Sequence, residues 1–177
     1  MDLKALIREI PDFPRPGISF KDITTAMKEP DALAYIIRSM AEPFRNRGLE
    51  MVVGVESRGF ILGAPLAYEL GTGFVLVRKP GKLPAEKIRV SYELEYGTDA
   101  LEIHKDAIRP GQRVLLVDDL LATGGTISAA ARLVQQLEGV IVGFSFLIEL
   151  AFLGGRRRLE AFQIPPEAVF ALVRYDA

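Results

Sequence analysis

The chain has 177 residues, with 22 Lys and Arg against 23 Asp and Glu and a formal net charge of −1; the length suits one domain with a single core, and the charge balance gives no broad attraction for nucleic acid or an anionic membrane. It has no cysteine and one histidine, His104, which excludes disulfides, thiolate nucleophiles, cysteine-ligated zinc or iron–sulfur centres and any multi-histidine metal site. The first ten residues carry Asp2, Lys4, Arg8 and Glu9, unlike the apolar centre of a signal peptide, and the longest apolar region, Val140 to Leu153, is interrupted by Ser145 and Glu149 and falls short of the ~20 residues of a membrane helix, so a soluble, cytoplasmic protein is expected.

Leu3, Leu6, Ile7 and Ile10 recur at helical spacing and predict a short N-terminal helix that Pro11 stops. Residues 11–23 then hold Pro11, Pro14 and Pro16 with Phe13 and Phe20. Such a segment cannot be regular helix. It predicts a stiff loop able to hold an exposed aromatic face against a flat ring at low entropic cost, although both phenylalanines also suit a core that ties the loop down.

Asp31 is placed to cap a helix running to about Arg47, with Leu33, Ile36, Ile37, Met40 and Phe44 on its apolar face and Pro43 as a kink. Met51 to Val55 predicts a buried strand. It ends in Glu56-Ser57-Arg58-Gly59 before a helix carrying Leu62, Leu66 and Leu70. The turn offers backbone N–H groups, a helix N-terminus and Arg58, whose planar fork can grip phosphate oxygens in pairs or pair with Glu56 or another surface acid. Phe74 to Val77 predicts the next strand, followed by Arg78-Lys79-Pro80-Gly81-Lys82. Arg78 and Lys79 stand at a strand's C-terminal end, where open α/β sheets bind ligands; Lys82 and Lys87 suit a solvated loop equally well. Residues 91–103 alternate polar and apolar side chains on both sides of Gly97-Thr98-Asp99, the pattern of a hairpin.

After the turn Pro110-Gly111 comes the stretch around which the chain is organised. Val114-Leu115-Leu116-Val117 runs into Asp118-Asp119-Leu120-Leu121 and then Ala122-Thr123-Gly124-Gly125-Thr126, after which Ile127, Ala130, Ala131, Val134 and Leu137 follow helical spacing. This is a buried strand that feeds a glycine turn at a helix N-terminus. Gly124 and Gly125 permit positive φ and close approach, and the free N–H groups and the Thr123 and Thr126 hydroxyls are donors for an anion. The two carboxylates would repel a phosphate placed on them but accept hydrogen bonds from vicinal hydroxyls. A ribose 5-phosphate satisfies both halves. Val140 to Ile148 and Val169 to Val173 predict further strands, and Gly154-Gly155-Arg156-Arg157-Arg158 a turn and short helix whose arginines form a solvated face. Alternating strands and helices imply an α/β fold, a central parallel sheet flanked by helices in the Rossmann-like manner.

The stretch from Asp118 to Thr126 resembles the phosphoribosyl-pyrophosphate (PRPP) motif of the type I phosphoribosyltransferases, in the wording of the members that act on adenine. It is neither a Walker A loop nor a Gly-x-Gly-x-x-Gly turn. The resemblance runs from Pro11 to Tyr175 and implies one domain, 1–177, with residues 1–30 as an N-terminal helix and base-binding hood and 78–103 as a flexible catalytic flap. It implies PRPP contacts from Ser57, Arg58, Gly59, Arg78, Lys79, Lys82, His104, Asp118, Asp119, Ala122, Thr123, Gly124, Gly125 and Thr126. For His104 a purely structural place is as open. In the hood, Phe20 would stack on the purine and backbone groups around Ser19 and Lys21 would read its Watson–Crick edge, with Leu121 also at the base. Glu95 and Arg58 would be catalytic and Tyr96 part of the flap. Magnesium would ride on substrate and water with no direct protein ligand, and a homodimer is implied. Transfer to another base and a non-enzymatic sensor are the competing readings; a sensor of this kind usually carries a nucleic-acid-binding module, for which this N-terminus is too short.

Overall fold

The structure is a computed structural model that describes residues 1–93 and 97–177. In chain order its elements are β1 (Arg8–Ile10), β2 (Phe20–Asp22), α1 (Thr24–Met27), α2 (Pro30–Ala41), β3 (Met51–Val55), α3 (Arg58–Leu70), β4 (Gly73–Val77), β5 (Lys87–Glu93) and β6 (Thr98–His104). There follow β7 (Arg113–Leu121), α4 (Gly125–Gln136), β8 (Val140–Leu150), α5 (Gly155–Leu159) and β9 (Val169–Tyr175). Five strands form one parallel sheet in the order β4-β3-β7-β8-β9. Its strands are near-continuous apolar runs because both faces are covered.

Side-chain alternation divides the sheet between two cores. Val53, Val55, Val114 and Leu116 lie on the face that packs Ile127, Ala130 and Val134 of α4. Val52, Leu115 and Val117 lie on the other, with Ile36, Ile37 and Met40 of α2 and Leu62 and Leu66 of α3. Two glycines bring α3 close to the sheet: a Cβ on Gly54 would sit 2.7 Å, and one on Gly63 2.6 Å, from the ring of Phe74. That close approach sets the height of Arg58 above the strand ends.

The expected N-terminal helix is reduced to one turn. Leu3 and Ile7 are buried, as their spacing requires, and the Leu6 and Ile7 N–H groups bond to the Leu3 carbonyl. From Arg8 the backbone instead pairs antiparallel with β2, Arg8 opposite Asp22 and Ile10 opposite Phe20. Asp22 fastens this ribbon by accepting from Thr24 Oγ1 at 2.7 Å, the Thr24 N–H at 3.0 Å and Arg8 Nε at 3.0 Å. Those bonds, with Thr24 first, hold its carboxyl at about 2. The helix expected to reach Arg47 ends at Ala41, and Glu42–Phe44 form a 3₁₀ turn because Pro43 has no N–H to continue it. Asp31 lies in the first turn of α2, and the N-cap is Glu29.

The arm at 87–104 is the expected hairpin, begun four residues earlier, with register from Lys87 opposite His104 to Glu93 opposite Thr98. Its Val90, Tyr92, Leu101 and Ile103 are buried in the α4-side core. Glu95 and Tyr96 lie outside the described residues. The arginine triplet is not uniformly solvated. Arg156 donates to both oxygens of buried Glu149 at 2.8 and 2.9 Å and to the Val169 carbonyl at 2.6 Å. No helix among the described residues is long and apolar enough to cross a membrane.

Candidate active site

The chain leaves β3 for β4 on one side and β7 for β8 on the other, so the strand order reverses between β3 and β7. Ligands of open α/β sheets bind in the crevice at such a point. A cavity of about 360 Å³ occupies it, lined by residues 56–58, 118–120 and 122–127 with Lys79.

Asp118 and Asp119 form its floor, 9% and 7% exposed. The Asp119 N–H donates to Asp118 Oδ1 at 2.9 Å. Gly59 lets α3 settle onto this strand end, since a Cβ there would meet Asp118 Oδ1 and the Val117 carbonyl at 3.0 Å. Burial, and secondly the neighbouring Asp119 charge, push the Asp118 carboxyl well above the ordinary range. Opposite, Arg58 Nε donates to Asp119 Oδ2 at 2.6 Å. Arg58 therefore pairs with an acid of the cavity and not with Glu56. Its guanidinium also lies 5.3 Å from the ring centroid of Phe20, against which Phe13 sets its edge at 5.2 Å and 77°.

Glu56 Oε2 accepts from Arg78 Nε at 3.2 Å and the Lys79 N–H at 2.9 Å. The Lys79 ammonium donates to Asp99 and, at 3.4 Å, to the Tyr92 hydroxyl. On the remaining wall Gly124, at φ +79°, opens α4, whose first turn has no side-chain cap. Its leading N–H groups stay available to an anion. The Thr126 hydroxyl reaches Tyr92 Oη at 3.5 Å.

Of the residues expected at PRPP, the cavity gathers Ser57, Arg58, Lys79, Asp118, Asp119 and Ala122 to Thr126. Gly59 supports the wall from behind. Arg78 is turned to Glu56 and to the Lys82 carbonyl, and Lys82 is not among the lining residues. His104 stands at the hairpin's base, where Nε2 accepts the Ala85 N–H at 3.3 Å. Leu121 is 1% exposed with its side chain in the core, and Leu120 lines the cavity in its stead; the face of a residue at the strand's last turn was not readable from the apolar run. The side chains of Ser19 and Lys21 are occupied by Glu9, at 3.3 and 2.7 Å.

Two supports escaped sequence reasoning. A Cβ on Gly155 would lie 2.3 Å from the Ala122 carbonyl, and one on Gly124 2.8 Å from the Gly155 carbonyl. The start of α5 is thus laid directly against the glycine loop. The Gly154-Gly155 doublet was the only signal, and it read as a turn. The pairing of Asp99 with Lys79 had no local signal at all.

A parallel sheet with an acid pair and a glycine-opened helix N-terminus at its switch point defines a phosphoribosyltransferase of type I. In agreement, the phosphoribosyl transferase domain family matches residues 20–158. The chain is 58% identical to the adenine phosphoribosyltransferase of Solibacter usitatus over 99% of its own length and 98% of the relative's. The structure of the Thermoanaerobacter pseudethanolicus adenine phosphoribosyltransferase superposes with a TM-score of 0.93 at 53% identity, covering 98% of both chains. That of the Saccharomyces cerevisiae enzyme, in complex with D-2,5-dideoxy-2,5-imino-altritol 1,6-bisphosphate and adenine, does so at 0.88 and 43% identity over 97% and 96%. The chain belongs to the adenine phosphoribosyltransferases.

Proposed function

We infer that this protein transfers the 5-phosphoribosyl group of PRPP to adenine, giving AMP and pyrophosphate, a purine salvage reaction. One observation carries the reading: a single cavity holds the diol acceptors Asp118 and Asp119, the phosphate donors of the Ala122–Thr126 loop and the cations Arg58 and Lys79. A ribose with phosphate at one end and pyrophosphate at the other presents the complementary groups.

In this assignment the 5′-phosphate takes the α4 N-terminus and the hydroxyls of Thr123 and Thr126, and the 2′ and 3′ hydroxyls take the acids. Binding energy far from C1 thereby orients the reacting atoms. The C1–oxygen bond to pyrophosphate breaks ahead of attack by the adenine nitrogen, so positive charge develops on the ribose and negative charge on the leaving group. Arg58 and Lys79 are fixed donors for that negative charge. Arg58 also supports Phe20, on which the purine would stack, while the backbone at Ser19 and Lys21 would read its amino group and ring nitrogen. A base with a carbonyl there would leave buried partners unmatched at about 1–3 kcal/mol each. We assign the purine proton to Glu95 on the resemblance alone.

Magnesium fits as a passenger of the substrate. It would be held by the pyrophosphate and ribose oxygens of the substrate and by water, leaving Asp118 and Asp119 to the ribose hydroxyls. When bound it neutralises charge on the pyrophosphate.

The chain works as one domain, 1–177, with hood and flap as appendages of the sheet. A homodimer has a surface to form on. Ile61 and Tyr68, seven residues apart on one face of α3, are 51% and 89% exposed, and Leu76 of the edge strand β4 is 39% exposed.

The test is product formation from PRPP and magnesium with adenine, guanine, hypoxanthine, xanthine, uracil or orotate in separate reactions. AMP from adenine alone is expected. Product from a different base would remove the hood assignment, and PRPP binding without any product would favour a sensor.

A further inference from the structure

Three cations in or beside the cavity are each paired with an acid. Arg58 holds Asp119, Arg78 holds Glu56 and Lys79 holds Asp99. The first two acids belong to strands of the parallel sheet or their ends, Asp119 within β7 and Glu56 just past β3. Asp99 does not: it lies on β6, directly opposite Tyr92 of β5, near the tip of the described hairpin.

Asp99 is bound closely into this corner. One oxygen receives the Lys79 ammonium and, at 3.3 Å, the Tyr92 hydroxyl; the other receives the Ala100 N–H at 2.8 Å. Burial would raise its carboxyl, yet the bonds from Lys79 and Ala100 hold it below the usual range. The same Tyr92 hydroxyl is 3.5 Å from Thr126 Oγ1 of the glycine loop. Asp99, Tyr92 and Lys79 thus connect the hairpin to both ends of the cavity. A carboxylate and a pyrophosphate oxygen seek the same three ammonium protons, in the same partly desolvated corner.

We propose that Asp99 is an internal competitor of pyrophosphate: it neutralises and positions Lys79 in the free enzyme and yields it to the pyrophosphate group of PRPP, then reclaims it as product leaves. The proposal rests on the reading of Lys79 as a pyrophosphate cation. It gives the hairpin a function separate from any chemistry at its tip, since a ligand that takes Lys79 withdraws an ion pair that joins β6 to the strand end of β4 beside the backbone bridge of Arg78 and Glu102. Asp99 makes no contact with reacting atoms and is a positioning residue.

The experiment measures pyrophosphate binding by calorimetry with magnesium present, for wild type, Asp99→Asn, Asp99→Glu and Lys79→Met, together with KM for each substrate. Asp99→Asn tightens pyrophosphate by about two- to fivefold, the range supported by an ion pair of this exposure. It lowers KM for PRPP and leaves KM for adenine unchanged, whereas Asp99→Glu, which keeps the charge, behaves as wild type. Asp99→Ala serves if the Asn variant folds poorly. A carboxylate that only braced the hairpin would, on removal, weaken binding or leave it unaltered. Such a result, with Lys79→Met impaired, overturns the proposal and spares the Lys79 assignment. Lys79→Met binding pyrophosphate like wild type overturns both.

Discussion

Among the residues of the site, Asp118 is costly to fold. Its carboxyl is buried beside a second carboxylate and is pushed well above its ordinary 3.8, so the folded chain retains that proton to higher pH than the unfolded chain does. The group therefore favours folding at acidic pH and opposes it increasingly as pH rises above 3.8. Asp118→Asn keeps an oxygen for the Asp119 N–H and removes the charge. Its melting temperature at neutral pH is expected to rise, by roughly 2–4 °C for each ~1 kcal/mol relieved, while affinity for PRPP falls. Calorimetric scanning checks the first and titration the second; a lower melting temperature would show that the carboxylate is not under strain from burial. The acids themselves were legible, because two adjacent carboxylates at the end of a four-residue apolar run have no place in a core unless a ligand meets them. The partner of Arg58 was not. It is set by how closely α3 approaches β7, a distance that Gly54, Gly59 and Gly63 decide and that no spacing in the chain encodes.

At the scale of elements, the strand–turn–helix units were the readable part, since an apolar run, a glycine turn and a 3.6-residue pattern are local signals. The failures were tertiary. Leu3, Leu6, Ile7 and Ile10 have helical spacing, but the strand pairing of Arg8–Ile10 with residues 20–22 outweighs that weak local preference. Arg156 looked like one of three exposed charges until β8 and β9 enclosed Glu149 beside it. The packing of α5 on the glycine loop is the most consequential of these. Gly155→Ala places a methyl 2.3 Å from the Ala122 carbonyl, an overlap that backbone movement must relieve at about 1–3 kcal/mol. The movement falls on the phosphate wall. KM for PRPP is therefore expected to rise several-fold with little change in KM for adenine, measured by steady-state kinetics; an unaltered KM would mean the loop is not held from that side.

The parallel sheet ends in β9 at one margin and β4 at the other, and on the β4 side α3 exposes Ile61 and Tyr68 and β4 exposes Leu76, an apolar stripe. If that stripe is the face of a homodimer, Tyr68→Glu places a charge in an apolar contact and sedimentation should show a shift to monomer at micromolar concentration. A dimer of unchanged mass would exclude the stripe as its interface.

One contact has a thermodynamic corollary for the two substrates. Arg58 touches Asp119 at the sugar side and Phe20 at the base side, so the proposed subsites for ribose and purine share a side chain. A ligand that draws the guanidinium away from Asp119 alters the surface offered to the other. Whatever factor the sugar imposes on the affinity of the base, the base must impose on the sugar in equal measure. Preference for one order of arrival is then a matter of rates alone, and the ternary complex has the same free energy by either route.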